Sequence, residues 1–456
     1  MNPFGGLDYF LLLLLVLLPV VICGLKGKQL RVCGMLVCAV MLLAIFRTLH
    51  ALLLLAAFWV WQTALTFWYL YLRKRAKKAW VFHLAVALSL LPLLLVKLSL
   101  WVEPLRALSM LGLSYLSFRA VQPLIDIYDG RITELNLLDL SYFVLFFPSV
   151  SSGPLDRYRR FETDLHKMRT GVEYRALLRD GLWRLMTGAF YNFVIGNLIW
   201  KFWLSSLPEH GFWATVSYMY GYTFFMFFNF AGYSRMAVGT AYLLGIEQPD
   251  NFDLPFLSLD MKDFWSRWHI SLSTWFREYV YIPLGGNRRG KLRQYRNIAV
   301  VWLLTGFWHG ASWNFLLWGA YFCVLLIVEK LFLYKWLQKA PAVLAHLYTM
   351  FFVCISWLIF YFTDLGEGLT CLKAMFGVGV TSFATPTVVY DLLRYLPLLL
   401  ICVLAATPLP KRLFDALKNR FVTMRYAQVL LIAGAFLVIT AYLVDSTFSP
   451  FLYYRF

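Results

Sequence analysis

The chain has 456 residues, 61% of them hydrophobic and 14% charged, and carries a formal net charge of +18. Soluble domains are about 45–50% apolar and about 25% charged, so this composition excludes a soluble globular protein and indicates a polytopic membrane protein. The basic runs lie between apolar segments rather than in a domain of their own, which excludes nucleic acid as a partner.

Apolar segments follow one another along most of the chain. They lie near residues 9–25, 32–47, 49–72, 79–102, 106–124, 137–150, 182–205, 212–230, 296–308, 312–335, 343–362, 392–407 and 427–445. The first has no basic region before it and no small-residue cleavage site after it, so we interpret it as a retained span rather than a signal peptide.

Two of these segments, 137–150 and 296–308, are too short to span a membrane alone. They predict half-helices or re-entrant pieces, which are tolerated at membrane depth only when buried in protein or lining a cavity. We therefore expect an all-α bundle, with short or re-entrant helices around a central tunnel.

The positive charge is clustered at 73–78, 156–160, 287–296 and 411–420. Short basic loops face the cytoplasm, and their charge also contacts anionic membrane lipid. A second interpretation is that one basic loop docks an acidic soluble partner, and the sequence leaves both open. The docking candidates are Arg288, Arg289, Lys291, Arg293 and Arg296.

The seven cysteines occur singly, mostly within apolar runs, and no CxxC pair, P-loop or dinucleotide-binding motif is present. This pattern predicts core cysteines, no metal site and no bound cofactor. Catalytic residues are therefore sought among ionisable groups in apolar surroundings, which are costly to bury. Five of the seven histidines lie at segment ends, in loops or alone on apolar stretches and are interpreted as structural: His50, His83, His166, His210 and His346.

His309 lies in LLTGFWHGASWNFLLWGAYF, residues 303–322, where small residues separate two apolar runs. Small residues permit close approach of a backbone or a ligand, so the imidazole is expected to face a slot rather than packed side chains. Desolvation favours the neutral imidazole, which accepts a proton and suits a general base.

His269 lies in DFWSRWHISLSTWFREYVYIPLGGNRRG, residues 263–290. Helical spacing places His269 on an apolar stripe with Trp265 and Phe276, beside a polar stripe. We predict one interfacial amphipathic helix, with His269 at the boundary between water and membrane. From the residues alone, catalytic and structural roles for His269 are equally supported.

These two motifs, together with FNFAGYSRMAVG at 228–239, resemble the membrane-bound O-acyltransferase family over most of residues 80–410. The resemblance implies that His309 is the catalytic histidine and that His269 lines the same tunnel. It also implies transfer of an acyl group from a thioester to a hydroxyl.

The segments LFFPSVSSGPLDRYRRFETD (145–164) and GIEQPDNFDLPFLSLDMKDFW (245–265) are more similar to the DltB-type D-alanyl transferases of teichoic acid modification than to polysaccharide acetylation enzymes. This resemblance implies a D-alanyl donor, the phosphopantetheine thioester of a small acidic carrier protein in the cytoplasm. It also implies a DltD-like acyltransferase partner outside. Asn229 and Arg235 depart from the family pattern, which leaves the acyl group and its acceptor open.

The last residues read FSPFLYYRF and follow an additional apolar segment at 427–445. Lys418 and Arg420 precede this segment and Asp445 follows it, which predicts an extracytoplasmic C-terminus. The tail fits the F-x-x-F-x-Y-x-x-F pattern of a small DltX-like subunit at four positions: Phe448, Phe451, Tyr453 and Phe456.

We therefore divide the chain into an acyltransferase core, 1–425, with about 11–13 apolar segments, and a fused span and acyl-relay tail, 426–456. The resemblance implies that Tyr453 receives the acyl group, and a phenol needs an adjacent base, which His309 supplies. Aromatic residues also anchor termini at the membrane interface, so the composition of the tail alone favours a simple anchor, whereas its position-by-position match to the pattern favours the relay. Candidates for the tunnel wall or oxyanion donor are Trp308, Trp313 and Asn314, with His269 as a further donor candidate.

The expected location is the bacterial cytoplasmic membrane, with several spans. Two alternatives are an O-acetyltransferase of an exopolysaccharide or peptidoglycan, and a non-catalytic channel or lipid flippase in which His309 relays protons or packs. The second alternative leaves the WHG motif and the tail pattern unexplained.

Overall fold

The computed structural model describes residues 2–99, 101–204, 211–380, 382–421 and 423–445. In these ranges the regular secondary structure is helical, and Phe252 and Trp268 form an isolated antiparallel bridge. The all-α prediction is confirmed. Within the described part, contacts divide the chain into one unit of residues 2–188 and 233–250 and another of 189–232 and 251–445.

The first unit is built from helices whose buried positions are mainly apolar. Gly24 shows how closely they pack, because a Cβ atom there would lie 2.4 Å from the ring of Tyr174. The helices are α1 (Leu7–Leu25), α2 (Arg31–Ile45), α3 (Leu49–Arg75), α4 (Ala79–Leu98), α5 (Leu113–Tyr128), α6 (Leu137–Val144), α7 (Tyr158–His166) and α8 (Gly171–Ala189).

After α8 the chain continues through two π-helical segments, Phe190–Gly196 and Ile199–Leu204. The remaining helices are α9 (Phe212–Leu243), α10 (Met261–Arg267), α11 (Ile270–Phe276), α12 (Lys291–His309), α13 (Trp313–Val328), α14 (Tyr334–Leu337), α15 (Ala342–Tyr361), α16 (Leu365–Ala374), α17 (Pro386–Ala405), α18 (Leu409–Arg420) and α19 (Thr423–Val444). Residues of α9 up to Gly232 belong to the second unit.

Seven helical stretches among the described residues are long and apolar enough to cross a membrane. They are Leu7–Leu25, Leu49–Arg75, Ala79–Leu98, Trp313–Leu337, Ala342–Tyr361, Pro386–Ala405 and Tyr426–Val444. The last contains most of the apolar segment predicted at 427–445, while the domain boundary at residue 425 stays a prediction. The chain is a multi-pass membrane protein.

Of the two segments predicted to be short, one is short in the structure and the other is part of a longer helix. Segment 137–150 is short, as predicted, because the eight-residue α6 is followed by a 3₁₀ turn at Phe147–Ser149. Segment 296–308 is not a separate half-helix, because the polar residues before it continue the same helix and give α12 its 19 residues. At 1.5 Å per residue, α12 is about 28 Å long, close to the thickness of a bilayer core.

Helices α12 and α13 pack backbone against backbone at two glycines. A Cβ atom on Gly306 would lie 2.5 Å from the carbonyl oxygen of Phe315, and one on Gly319 would lie 2.5 Å from that of Trp302. Backbone atoms in packed helices cannot move aside as a flexible side chain does, so glycine is required at both positions.

We predict that Gly306→Ala lowers the free energy of unfolding by about 1–3 kcal/mol, as overpacking does. Thermal unfolding in detergent measures this change. Gly434→Ala in α19 is the matched control, since its Cβ atom meets no atom within 4 Å. Equal melting temperatures for the two variants would contradict the proposed packing.

Candidate active site

His309 is the last residue of α12 and lies within a wall of aromatic rings. Its ring centroid is 4.8 Å from that of Trp308, 5.0 Å from Trp318, 5.2 Å from Phe360 and 6.3 Å from Phe315. The residue is 8% exposed. The expectation of a slot lined by small residues was therefore wrong.

The small residues around His309 allow close approach between backbone and side chains of neighbouring helices instead. A Cβ atom on Gly310 would lie 2.2 Å from the ring of Phe315, so this glycine lets the first turn of α13 fold closely over the end of α12. The chain is extended at Gly310 and turns into α13 at Trp313. The glycines thus place the imidazole against its aromatic neighbours.

Of the two residues that open α13, Asn314 faces the protein and Trp313 does not. Asn314 is fully buried, and its Nδ2 donates to the Phe360 carbonyl at 2.9 Å while its Oδ1 accepts from Ser312 Oγ at 2.5 Å. Trp313 is 71% exposed, because successive helical residues point about 100° apart. The prediction that Trp313 lines the tunnel was wrong, and Asn314 anchors the helix that carries Phe360.

His269 does not lie in one continuous helix, so that prediction was also wrong. Helix α10 ends at Arg267, Trp268 is extended, and His269 takes the left-handed conformation at φ 46° before α11 begins. Two tertiary contacts interrupt the helix. Trp268 pairs with Phe252, and the Ile270 N–H donates to the Asn251 carbonyl at 3.0 Å.

The ring of His269 is buried rather than placed at a water boundary, with 2% of the residue exposed. It packs edge-on against Phe230 at 4.8 Å and lies 6.3 Å from Trp308. Burial lowers the pKa of His269 to about 3, so its imidazole is neutral at physiological pH.

Trp308 therefore joins the two histidines, since the rings of both lie within 6.3 Å of its indole. These three residues come from two separate parts of the second unit, the end of α12 and the break after α10, and Phe230 in the middle of α9 packs against His269. We call His269, Trp308 and His309 the histidine site. It contains two imidazoles in water-poor surroundings, an arrangement suited to proton transfer.

A cleft of about 730 Å³ adjoins the histidine site. Its wall includes Ile270, which follows His269, and Thr305, one turn before His309. The Trp318 ring contacts both His309, at 5.0 Å, and the cleft residue Trp265, at 5.6 Å.

Four exposed cations also line this cleft, and none forms an ion pair with a described residue: Lys262, Arg277, Lys330 and Lys335. Lys262 and Lys330 are close enough for their positive charges to interact. The carboxylate at the cleft, Glu329, is buried and accepts from the Met261 N–H at 2.9 Å. The cleft therefore combines apolar walls with an excess of positive charge.

The docking candidates lie in the loop before α12 and in its first turns. Arg288, Arg289, Lys291, Arg293 and Arg296 are all exposed. Arg296 is partly committed to structure, because it donates to the Leu284 carbonyl at 3.3 Å and to Asn297 Oδ1 at 2.8 Å.

Of the remaining predicted residues, several are outside the described part of the chain. Phe448, Phe451, Tyr453 and Phe456 are outside the described residues, as is His210. Asn229 is buried and its carbonyl accepts from Asn192 Nδ2 at 3.4 Å, while Arg235 donates to Thr187 Oγ1 at 3.3 Å. In the described part of the chain, no His, Cys, Asp and Glu group has a geometry that would hold a metal ion.

Three residues that contact the two histidines were not predicted from the sequence. Phe230 lies in the FNFAGYSRMAVG motif and Asn251 in GIEQPDNFDLP, so both were within quoted segments without an assigned role. Phe360 is an ordinary apolar position of α15, with no local signal of its contact with His309.

The site and the helical fold agree with what comparison of the whole chain finds. Residues 46–369 match the model of the MBOAT, membrane-bound O-acyltransferase family, and the chain belongs to that family. It is therefore an O-acyltransferase.

Among its relatives, the teichoic acid D-alanyltransferase of Bacillus subtilis is 39% identical over 79% of this chain and 98% of its own length. The enzyme of that name from Streptococcus thermophilus is 35% identical over 75% of this chain and 86% of its own. A probable alginate O-acetylase, AlgI, of Azotobacter vinelandii is 33% identical over 59% of this chain and 54% of its own.

We predict that His309→Ala lowers acyl transfer by about 10²–10⁴-fold, the range for loss of a general base. His269→Gly should also lower activity while preserving the fold, because glycine adopts positive φ without strain. Both variants are tested by measuring turnover of a thioester donor together with thermal unfolding. His83→Ala, at an exposed histidine outside the site, should leave both values unchanged. Full activity of His309→Ala would contradict this assignment.

Proposed function

We propose that this protein moves a D-alanyl group from the phosphopantetheine thioester of an acidic carrier protein, across the membrane, for O-acylation of a surface polymer such as teichoic acid. The observation that carries the proposal is the pair of buried histidines joined by Trp308, in a chain whose relatives include teichoic acid D-alanyltransferases.

His309 is the general base of the proposed reaction. Its imidazole removes the proton from the phenol of Tyr453, and the phenolate oxygen attacks the thioester carbonyl carbon. The tetrahedral intermediate collapses as the carbon–sulfur bond breaks. The thiolate takes the proton back from His309, which leaves a free carrier thiol and a Tyr453 ester.

The negative oxygen of the intermediate needs a hydrogen-bond donor in the site. Trp308 is the candidate best supported, because its indole carries an N–H and its ring lies within 6.3 Å of both imidazoles. Asn314 is a weaker candidate, since its amide already donates to the Phe360 carbonyl.

The cleft is the proposed route of the donor arm. A phosphopantetheine carries a phosphate at one end and an extended chain beyond it. A phosphate between Lys262 and Lys330 would relieve the repulsion of their charges, and the chain would follow the apolar wall toward Trp265. Reaching His309 then requires the Trp318 side chain to move.

The carrier itself docks, in this proposal, on the exposed cations of the loop before α12 and of the first turns of that helix. Acidic and basic surfaces attract over about 8–10 Å in physiological salt, which speeds encounter. That loop leads directly into α12, which contributes Ile298, Val301 and Trp302 to the cleft wall. A docked carrier would thus have its arm close to the cleft. An extracytoplasmic DltD-like partner would take the acyl group onward.

The tail is proposed to be a fused relay subunit. The B. subtilis relative is covered over 98% of its length by 79% of this chain, so about a fifth of the chain has no counterpart in that protein. Tyr426–Val444 has the length and composition of an additional span before the tail.

Acetyl is the alternative acyl group. Relatives named alginate O-acetylase and peptidoglycan O-acetyltransferase are 33% and 35% identical to this chain. The proposed chemistry at His309 is the same for either group.

We expect intact mass spectrometry, after incubation with D-alanyl-loaded carrier, to show an alanyl adduct on the C-terminal peptide of the wild-type protein. Tyr453→Phe and His309→Ala should both lack it, because one removes the nucleophile and the other its base. Tyr454→Phe, at the neighbouring tyrosine, is the matched control and should keep the adduct.

The same assay with an acetyl-loaded carrier distinguishes the alternative. An acetyl adduct with no alanyl adduct would overturn the choice of acyl group. Equal donor turnover by Tyr453→Phe and wild type would overturn the relay and leave the tail as an anchor.

A further inference from the structure

Asn251 binds the segment around His269 at three points. Its backbone carbonyl accepts from the Ile270 N–H at 3.0 Å, and its side-chain Oδ1 accepts from the Ser271 N–H at 3.1 Å. The same Oδ1 lies 3.4 Å from Nδ1 of His269. Asn251 is 2% exposed, so these contacts are shielded from water.

These contacts identify the tautomer of His269. A backbone N–H only donates, so the amide atom that faces Ser271 must be the oxygen. Because that oxygen only accepts, the hydrogen bond to His269 requires a proton on Nδ1. A neutral imidazole carries one ring proton, so Nε2 then presents a lone pair.

Asn251 also has an unfavourable feature, a buried side-chain donor, that its contacts with the backbone do not require. Its Nδ2 is buried and makes no hydrogen bond to any described residue. An unsatisfied buried donor is unfavourable by about 1–3 kcal/mol. A residue selected for stability alone would not leave a buried donor unsatisfied. His269 is also strained, because its φ is positive, a conformation that L-residues rarely adopt. Such strain clusters at functional sites.

We propose that Asn251 is a positioning residue that holds His269 as the Nδ1–H tautomer, so that His269 offers the histidine site a hydrogen-bond acceptor at Nε2 and not a donor. This inference rests on the proposed function, in which His269 shares the site with His309. It removes His269 from the candidates for oxyanion donor and assigns it to accept a hydrogen bond from a hydroxyl or N–H group of a substrate.

A double-mutant cycle in the full-length protein tests the proposal. We expect Asn251→Ala to lower kcat by roughly five- to tenfold, as loss of one hydrogen bond does, with the KM for the carrier unchanged. In a His269→Gly background the same change should lower kcat less than twofold, because the residue acts only through the imidazole. A merely structural role would give the full loss in both backgrounds, which would overturn the proposal.

Asn251→Asp is the second variant and keeps the accepting oxygen without the amide N–H₂ group. It should recover at least half of the wild-type kcat, even if Asn251→Ala fails to fold. An Asp variant as impaired as His269→Gly would overturn the acceptor role. If His269→Gly retains full activity, the role of His269 in the proposed function is wrong. If His269→Gly loses activity while Asn251→Ala keeps full activity, only the present inference about Asn251 is wrong.

Labelling with ¹⁵N-histidine gives a readout independent of activity. The wild-type spectrum should contain a resonance pair of an Nδ1–H neutral imidazole that is absent in His269→Gly. A pair typical of the Nε2–H tautomer at that position would contradict the proposal.

Discussion

The close approach of α12 and α13 determines where His309 lies. Two glycines let the backbones meet. A Cβ atom at either position would lie 2.5 Å from a carbonyl oxygen of the facing helix, so no other residue type fits there. Because the helices meet so closely, the turn between them is short, and the histidine that ends α12 is pressed against Phe315 and Trp318. Packing of this hairpin thus fixes where the His309 imidazole lies.

The second histidine depends on a different constraint. A helix that local periodicity would continue is broken by the contacts of Phe252 and Asn251, and the break turns His269 inward. Both imidazoles then lie against Trp308 in surroundings that exclude water. In such surroundings, proton transfer needs little solvent reorganisation, and hydrogen bonds to a developing charge are stronger than in water.

Composition and apolar segments were sufficient to predict a helical membrane protein, and the WHG motif was sufficient to predict the buried His309. The break at His269 was not predictable, because it depends on residues about 18 positions away that override the local helical pattern. Nor does WHGASW reveal which tryptophan faces inward. That depends on helix phase, and the structure buries Trp308 while exposing Trp313. The cleft arises from three-dimensional packing of α10 to α14 and has no local signature.

The central claim is that the cleft delivers a thioester to the histidine site. The most direct measurement is an experimental structure of this protein with a carrier whose phosphopantetheine bears the alanyl group through an amide, which cannot be transferred. The account predicts the phosphate between Lys262 and Lys330, a displaced Trp318 side chain and the alanyl carbonyl within hydrogen-bonding distance of the histidine site. An empty cleft, with the arm bound elsewhere, would contradict it.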